Sequence, residues 1–270
     1  MPPGGGGNHD DPQQKLLNVS TRVRVYKDNS VMIGGFIISG QSQKQIVLRA
    51  IGPSLIPLGV EGALKDPILD VYDSSGTVIA ENDDWTSLPP DSIPSGFAPT
   101  DPKESLIVET LPAGGYTAVL RGTDGSSGVA LVELYDLDPN QSTIVNLSTR
   151  GQVGTGDDVL IGGFIISGEN PTRVMLRAIG PELLPYGITN ALLDPVLELH
   201  GPDGSIIYQN DNWRSDQEQQ ILDTTLAPLD DRESAIVATL PPAKYTAIVR
   251  GANGSSGVAL VELYNLEPAP

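Results

Sequence analysis

Apolar residues fall along this chain in short runs, and no stretch repeats them at the spacing of an amphipathic helix. The runs are rich in Val, Ile, Leu, Thr and Tyr and are bounded by Gly, Pro, Asn and Asp, as strands joined by turns are. In the first half this pattern predicts strands over 17–25, 31–39, 45–51, 68–72, 77–81, 105–111, 115–121 and 128–134. DSSG at 73–76 and GPDG at 201–204 read as tight turns, with glycine available for a positive φ. PSLIPLGVEGAL at 53–64 has room for one helical turn before its prolines and glycines end it.

The pattern is written twice. IGGFIISG at 33–40 returns at 161–168, and LRAIGP at 48–53 returns at 176–181, a shift of 128 in both cases. NDDW at 82–85 is answered by NDNW at 210–213. From ESLIVETLPAGGYTAVLRG at 104–122 onward the shift is 129, and SSGVALVELY stands unchanged at 126–135 and 255–264. Self-similarity at this period means a duplicated domain. The expected organisation is a Gly/Pro-rich flexible tail (1–15) and two tandem homologous β-sandwich domains, 16–139 and 140–270. Eight strands in about 125 residues make each all-β and jelly-roll-like. In the duplicated decamer Ala130, Val132 and Leu134 point one way and Val129, Leu131 and Tyr135 the other, which places that strand inside a sheet.

NVSTRV, IGGFIISG, LRAIGPSL, LKDPILDVYDSSG, NDDW, LPAGGYTAVLRG and GVALVELYDLDP together resemble a tandem repeat of large exported bacterial surface proteins. The resemblance runs from about residue 16 to the end, twice over. It implies an extracellular or cell-surface location and no catalytic activity. The later half of each copy is also similar to bacterial pre-peptidase C-terminal domains, which implies a β-sandwich accessory module with calcium sites. The copies differ at one turn, where copy two has GTGDD (154–158) and copy one YKDNS (26–30).

Composition narrows the chemistry. Sixteen basic against thirty-four acidic side chains give −18, which argues against nucleic acid and anionic membrane as partners. No run approaches the roughly 18 apolar residues of a membrane span. Cysteine is absent and there are two histidines, His9 and His200, the second aligned with Tyr72. Neither a Ser-His-Asp triad nor a histidine metal site is built easily from these, so no enzyme is expected.

The turn carboxylates suit Ca²⁺, which takes its oxygen ligands from such loops, against the plainer reading that they cap turn N–H groups. The candidate ligands are Asn82, Asp83, Asp84 and Glu104, with Asn210, Asp211 and Glu233 in copy two, where Asn212 replaces Asp84. The linker adds Asp136, Asp138 and Asn140 at alternating positions. Trp85 and Trp213 follow the acidic turn in each copy and read either as platforms for a surface polysaccharide or as lids on the core. Arg49 and Arg177, Arg121 and Arg250, and Glu133 and Glu262 interrupt apolar strands, so they are expected to pair.

These readings converge on a non-enzymatic extracellular structural module, a subunit of a surface layer, stalk or filament. A carbohydrate-binding module is the alternative. The linker carries the end of copy one into the first strand of copy two, and the chain's own ends have the same character. Head-to-tail self-assembly through Leu16, Leu17, Val19, Leu266 and Pro268 is therefore expected.

Overall fold

The computed structural model describes residues 15–26, 31–137 and 142–266, including every side chain there except those of 15–17 and 142–143. Copy one supplies strands β1 (Lys15–Val25), β2 (Met32–Gly40), β3 (Lys44–Ile51), β4 (Pro67–Tyr72), β5 (Val78–Asn82), β6 (Ser105–Leu111), β7 (Gly114–Gly122) and β8 (Gly128–Asp136). Copy two supplies β9 (Ser142–Val153), β10 (Leu160–Ser167), β11 (Thr172–Ile179), β12 (Pro195–His200), β13 (Ile206–Asn210), β14 (Ser234–Leu240), β15 (Ala243–Gly251) and β16 (Gly257–Asn265). The all-β expectation holds. The predicted turn after β3 is a 3₁₀ segment, Pro53–Leu58, stopped by Gly59 at φ 83°. One short helix, α1 (Glu218–Leu222), belongs to copy two and was not expected.

Within copy one the strands pair as β6-β3-β8-β1 and β2-β7-β4-β5, all antiparallel. Copy two repeats this as β14-β11-β16-β9 and β10-β15-β12-β13. Two four-stranded sheets connected in this order form a jelly roll. Equivalent residues occupy equivalent sites. Phe36 stacks on Tyr116 with ring centroids 5.4 Å apart, and Phe164 stacks on Tyr245 at 5.5 Å, both at 24°.

The copies are not separate sandwiches, however. The free edge of β1 pairs with β10 of copy two, from Lys15↔Ser167 to Arg22↔Ile161. Reciprocally, β9 pairs with β2 of copy one, from Ile33↔Arg150 to Gly40↔Ser142. Two eight-stranded runs result, β6-β3-β8-β1-β10-β15-β12-β13 and β14-β11-β16-β9-β2-β7-β4-β5, and each passes through both copies. They touch where Arg24 pairs with Gln152. Beside that crossing the buried hydroxyls of Thr21 and Thr149, 128 residues apart, hydrogen-bond at 2.9 Å. One continuous apolar cluster draws residues from both copies, among them Phe36, Leu48, Ala130 and Leu134 of copy one and Phe164, Leu176, Ala259 and Leu263 of copy two.

The exchange explains residues that the repeat alone does not. A Cβ on Gly35 would sit 2.6 Å from Ser148 Oγ, and one on Gly163 would sit 2.8 Å from Ser20 Oγ. The second glycine of each IGGF is thus the point where the other copy's first strand comes close. Asp158 of the GTGDD turn takes Arg24 in a bidentate ion pair, with Nε at 3.1 Å from both carboxylate oxygens and Nη2 at 2.9 Å from Oδ1. That turn, peculiar to copy two, fastens copy two to β1.

This topology corrects the head-to-tail expectation. Val19 pairs with Leu134 on one side and Phe164 on the other, so β1 has no edge to donate there. β9 is likewise held between β16 and β2. The contact joining the copies is reciprocal and therefore closed. Leu266 packs beside Trp213, its backbone N–H donating to Arg173 O. The backbone of Leu16 and Leu17 lies in β1, but their side chains, Pro268 and the tail through residue 14 are outside the described parts.

The strand charges pair as expected. Arg49 meets Glu133 at 2.5 Å and Tyr135 Oη at 3.1 Å, and Arg177 meets Glu262 and Tyr264 at 2.5 and 3.0 Å. Burial pushes both tyrosines up to about 12, with the adjacent glutamates adding to it. Each neutral hydroxyl accepts from its arginine and donates to its glutamate.

Candidate functional site

The tryptophan turn is built by strand ends that converge on Ser105 at the start of β6. Its hydroxyl donates to Pro67 O at 2.6 Å and Asp83 O at 2.8 Å, drawing the β4 entry and the β5 exit together. Three carboxylates, Asp66, Asp83 and Asp84, thereby offer oxygens within 4.8 Å of one another. Asp66 Oδ1 and Asp84 Oδ1 are buried without hydrogen-bond donors. Burial, then repulsion from Asp66 and Asp84, holds the Asp83 carboxyl above its ordinary range. Lys103 lies across the cluster, its ammonium 3.5 Å from Asp66 and 3.4 Å from Asp84, and those two charges hold it protonated.

An oxygen-only donor set of this kind fits a hard cation such as Ca²⁺, with Lys103 as the competing occupant. Sequence reasoning found Asp83 and Asp84 and missed Asp66, which precedes a proline and read as the lead-in to a strand. The other expected ligands are engaged elsewhere. Asn82 Oδ1 accepts from Leu106 N, and its amide donates to Asp84 O and Ser87 Oγ. Glu104, fully buried, accepts from Gly52 N, Ser54 N and Ser54 Oγ at 3.0, 2.8 and 2.7 Å. It organises the turn after β3.

In copy two Asn210 and Glu233 repeat those structural roles through Ala235 N, Gly180 N and Glu182 N. Asp211 has Asp194 nearby, but Asn212 removes the third carboxylate and Arg232 turns away to Asp230 at 2.7 Å. Asp136 is no loop ligand, because it is buried in an ion pair with Lys44 at 2.6 Å. Asp138 and Asn140 fall outside the described residues.

A metal response would therefore belong to copy one and be limited by Lys103. Lys103→Met should gain a melting-temperature rise of about a few degrees in millimolar Ca²⁺, reversed by chelator, with a smaller rise in the parent protein. Scanning calorimetry that shows no Ca²⁺ response in either protein removes the metal.

Trp213 closes the core of copy two rather than offering a platform. Trp213 is 1% exposed, packed among Met175, Ile221, Ala235 and Val237, and its Nε1 donates to Asp230 O. Trp85 is half-buried and makes the matching bond to Asp101 O at 2.8 Å. Arg214 lies on the outer face of Trp213, 4.0 Å from the ring centroid. His200 is bound to Glu198 and Gly204 O, with no second histidine among the described residues.

Two surfaces were not foreseen. One is a cleft of about 790 Å³ at the junction of the copies, where Arg22, Arg24 and Arg250 face Glu61, Asp157 and Asp158. Its charges balance, and Arg24 and Arg250 are already bonded within it.

The other is a pair of open sheet edges. Among the described residues β5 pairs with β4 alone and β13 with β12 alone, and these strands end the two eight-stranded runs. Val78 and Ile79 on β5 are 47% and 38% exposed, and Ile206, Ile207 and Tyr208 on β13 are 52%, 40% and 40% exposed. β13 carries no charged residue, and β5 has one, Glu81. The opposite ends, β6 and β14, are capped by side chains. The Gln217 side chain makes both a donor and an acceptor bond to the Val237 backbone of β14, and Asn82 caps Leu106 N of β6.

No family model matches the chain, and no curated protein matches it. Among solved structures it is similar to a DUF4785 family protein from Legionella pneumophila, at 10% identity over 96% of this chain and 81% of that one, with a TM-score of 0.24. PNGF-II is similar at 12% identity over 96% and 58%, with a TM-score of 0.23. Vicilin from hazelnut, Corylus avellana, is similar at 6% identity over 92% and 75%, with a TM-score of 0.20. Scores this low carry no argument about fold or function.

Proposed function

We propose that this chain is a non-enzymatic structural module of the cell exterior that associates with copies of itself into a layer, stalk or filament. The observation that supports this reading is the repeated, uncovered edge. Edge strands are normally blunted by charge, proline or a covering segment. Here β6 and β14 carry side-chain caps on their backbone at Leu106 and Val237, while β5 and β13 present exposed aliphatic and tyrosine side chains at equivalent positions.

The occupant is a second copy of the chain. An uncharged edge suits another uncharged edge, and at −18 this protein approaches its own kind most easily where charge is lowest. Strand addition is also how its two halves already join. With one open edge in each copy, such contacts extend the sheets outward and the array grows. The exported surface repeats that the sequence resembles fit this reading. The polysaccharide alternative loses one of its two platforms with Trp213 buried.

Val78→Lys with Ile206→Lys places a charge on each edge at positions already half exposed, leaving the core untouched. Light scattering and negative-stain microscopy over a concentration series should show growing assemblies for the parent protein and monomers for the double variant. A parent protein that stays monomeric throughout overturns the reading.

A further inference from the structure

Copy two carries a buried carboxyl that copy one keeps satisfied in another way. Glu233 is fully buried, and its Oε1 accepts from Gly180 N and Glu182 N, both at 2.9 Å. Its Oε2 is buried with no ordinary donor. In copy one the corresponding Glu104 Oε2 accepts the Ser54 hydroxyl at 2.7 Å. Copy two has Glu182 at the serine's position, a second acid close enough to Glu233 to raise its carboxyl. Two carboxyl groups hydrogen-bond to each other only when one holds a proton.

Glu182 also reaches outward. Its Oε1 accepts the Leu229 N–H at 2.5 Å. Leu229 belongs to residues 216–231, a segment that carries α1 and covers Trp213, Met175 and Val237 through Ile221, Leu226 and Ala227. Gln217 and Thr225 in this segment have φ of 57° and 61°, left-handed conformations disfavoured for residues other than glycine. The segment is held down by bonds rather than by relaxed backbone.

We propose that Glu182 and Glu233 share one proton, and that this proton latches residues 216–231 over the tryptophan face of copy two. Loss of the proton sets two carboxylates against each other. Glu233 is fixed by its backbone donors, so Glu182 on the turn moves and takes the Leu229 bond with it. The other charges facing the pair do not neutralise it. Arg232 is committed to Asp230, and Arg177, which senses Glu182, is committed to Glu262, Tyr264 and the Leu226 carbonyl of the segment.

Burial, then the nearby Glu182 carboxyl, pushes Glu233 up to about 8. Between the ordinary carboxyl range and that value, the folded state holds a proton that the unfolded chain has lost. Stability therefore falls as pH rises across this window, and the latch opens as pH passes about 8.

The test uses the full chain carrying Trp85→Phe, so that Trp213 reports alone. Its emission and acrylamide quenching are followed from about pH 6 to about pH 10, beyond both ends of the expected transition. The expected result is a red shift and increased quenching with a midpoint near 8. Glu182→Ser, which restores the copy-one donor, should abolish the transition. Glu182→Gln, which supplies an amide donor, should do the same if the serine variant folds poorly. No transition in the Trp85→Phe protein, or an unchanged transition in the folded Glu182 variants, overturns the latch.

Discussion

Replacing Asp136 with alanine is expected to destabilise the protein by about 3–5 kcal/mol, because it takes the carboxylate away from the buried Lys44 ammonium. The two side chains are 0% and 1% exposed and meet at 2.6 Å, tying the start of β3 to the end of β8. A buried pair contributes little over an apolar substitute, but half of one costs heavily, since the remaining buried charge loses its carboxylate. The repeat supplies the control. Copy two has Thr172 and Asn265 at these positions, so Lys44→Thr with Asp136→Asn rewrites copy one with residues the same fold already accommodates. The double variant should recover most of the loss. Urea unfolding of the three proteins decides the matter. A loss below about 1 kcal/mol for Asp136→Ala, or a double variant no better than the single, would contradict the burial of this pair.

The same ion pair shows why some of the site was illegible in the sequence. Asp136, Asp138 and Asn140 alternate as calcium-loop ligands do, while the partner that claims Asp136 stands 92 residues earlier in the chain. Glu104 and Glu233 looked like ligands because acids near Asn-Asp turns often are. Their backbone donors, Gly52 and Gly180, lie about fifty residues away and leave no mark in composition. The strands themselves were readable, since alternation and bounding turns are local signals. Phe36 and Phe164, or Arg49 and Arg177, could be matched across the copies by position alone.

The neighbour of β1 was not readable, and for a specific reason. β2 and β10 contain the same residues, IGGFIIS, so alternation fits β1 equally well against its own copy or the other. The signals that distinguish the two are faint. They are a threonine buried in each first strand, Ser20 and Ser148 facing glycines, and an Asp158 that only copy two possesses. Each makes sense only once the partner copy is in place.

That pairing between copies closes the inner edges and leaves β5 and β13 among the strands that end the two runs. It predicts a covalent bond that can be made on demand. Thr21 Oγ1 and Thr149 Oγ1 lie 2.9 Å apart, and the chain has no cysteine to compete. In a Thr21→Cys, Thr149→Cys variant the two sulfurs should fall within bonding reach of each other. Peptide mass spectrometry after mild oxidation of the monomer should find the first strands of the two copies linked at close to full yield. Two free thiols in the folded, oxidised monomer would mean that the copies keep their first strands to themselves.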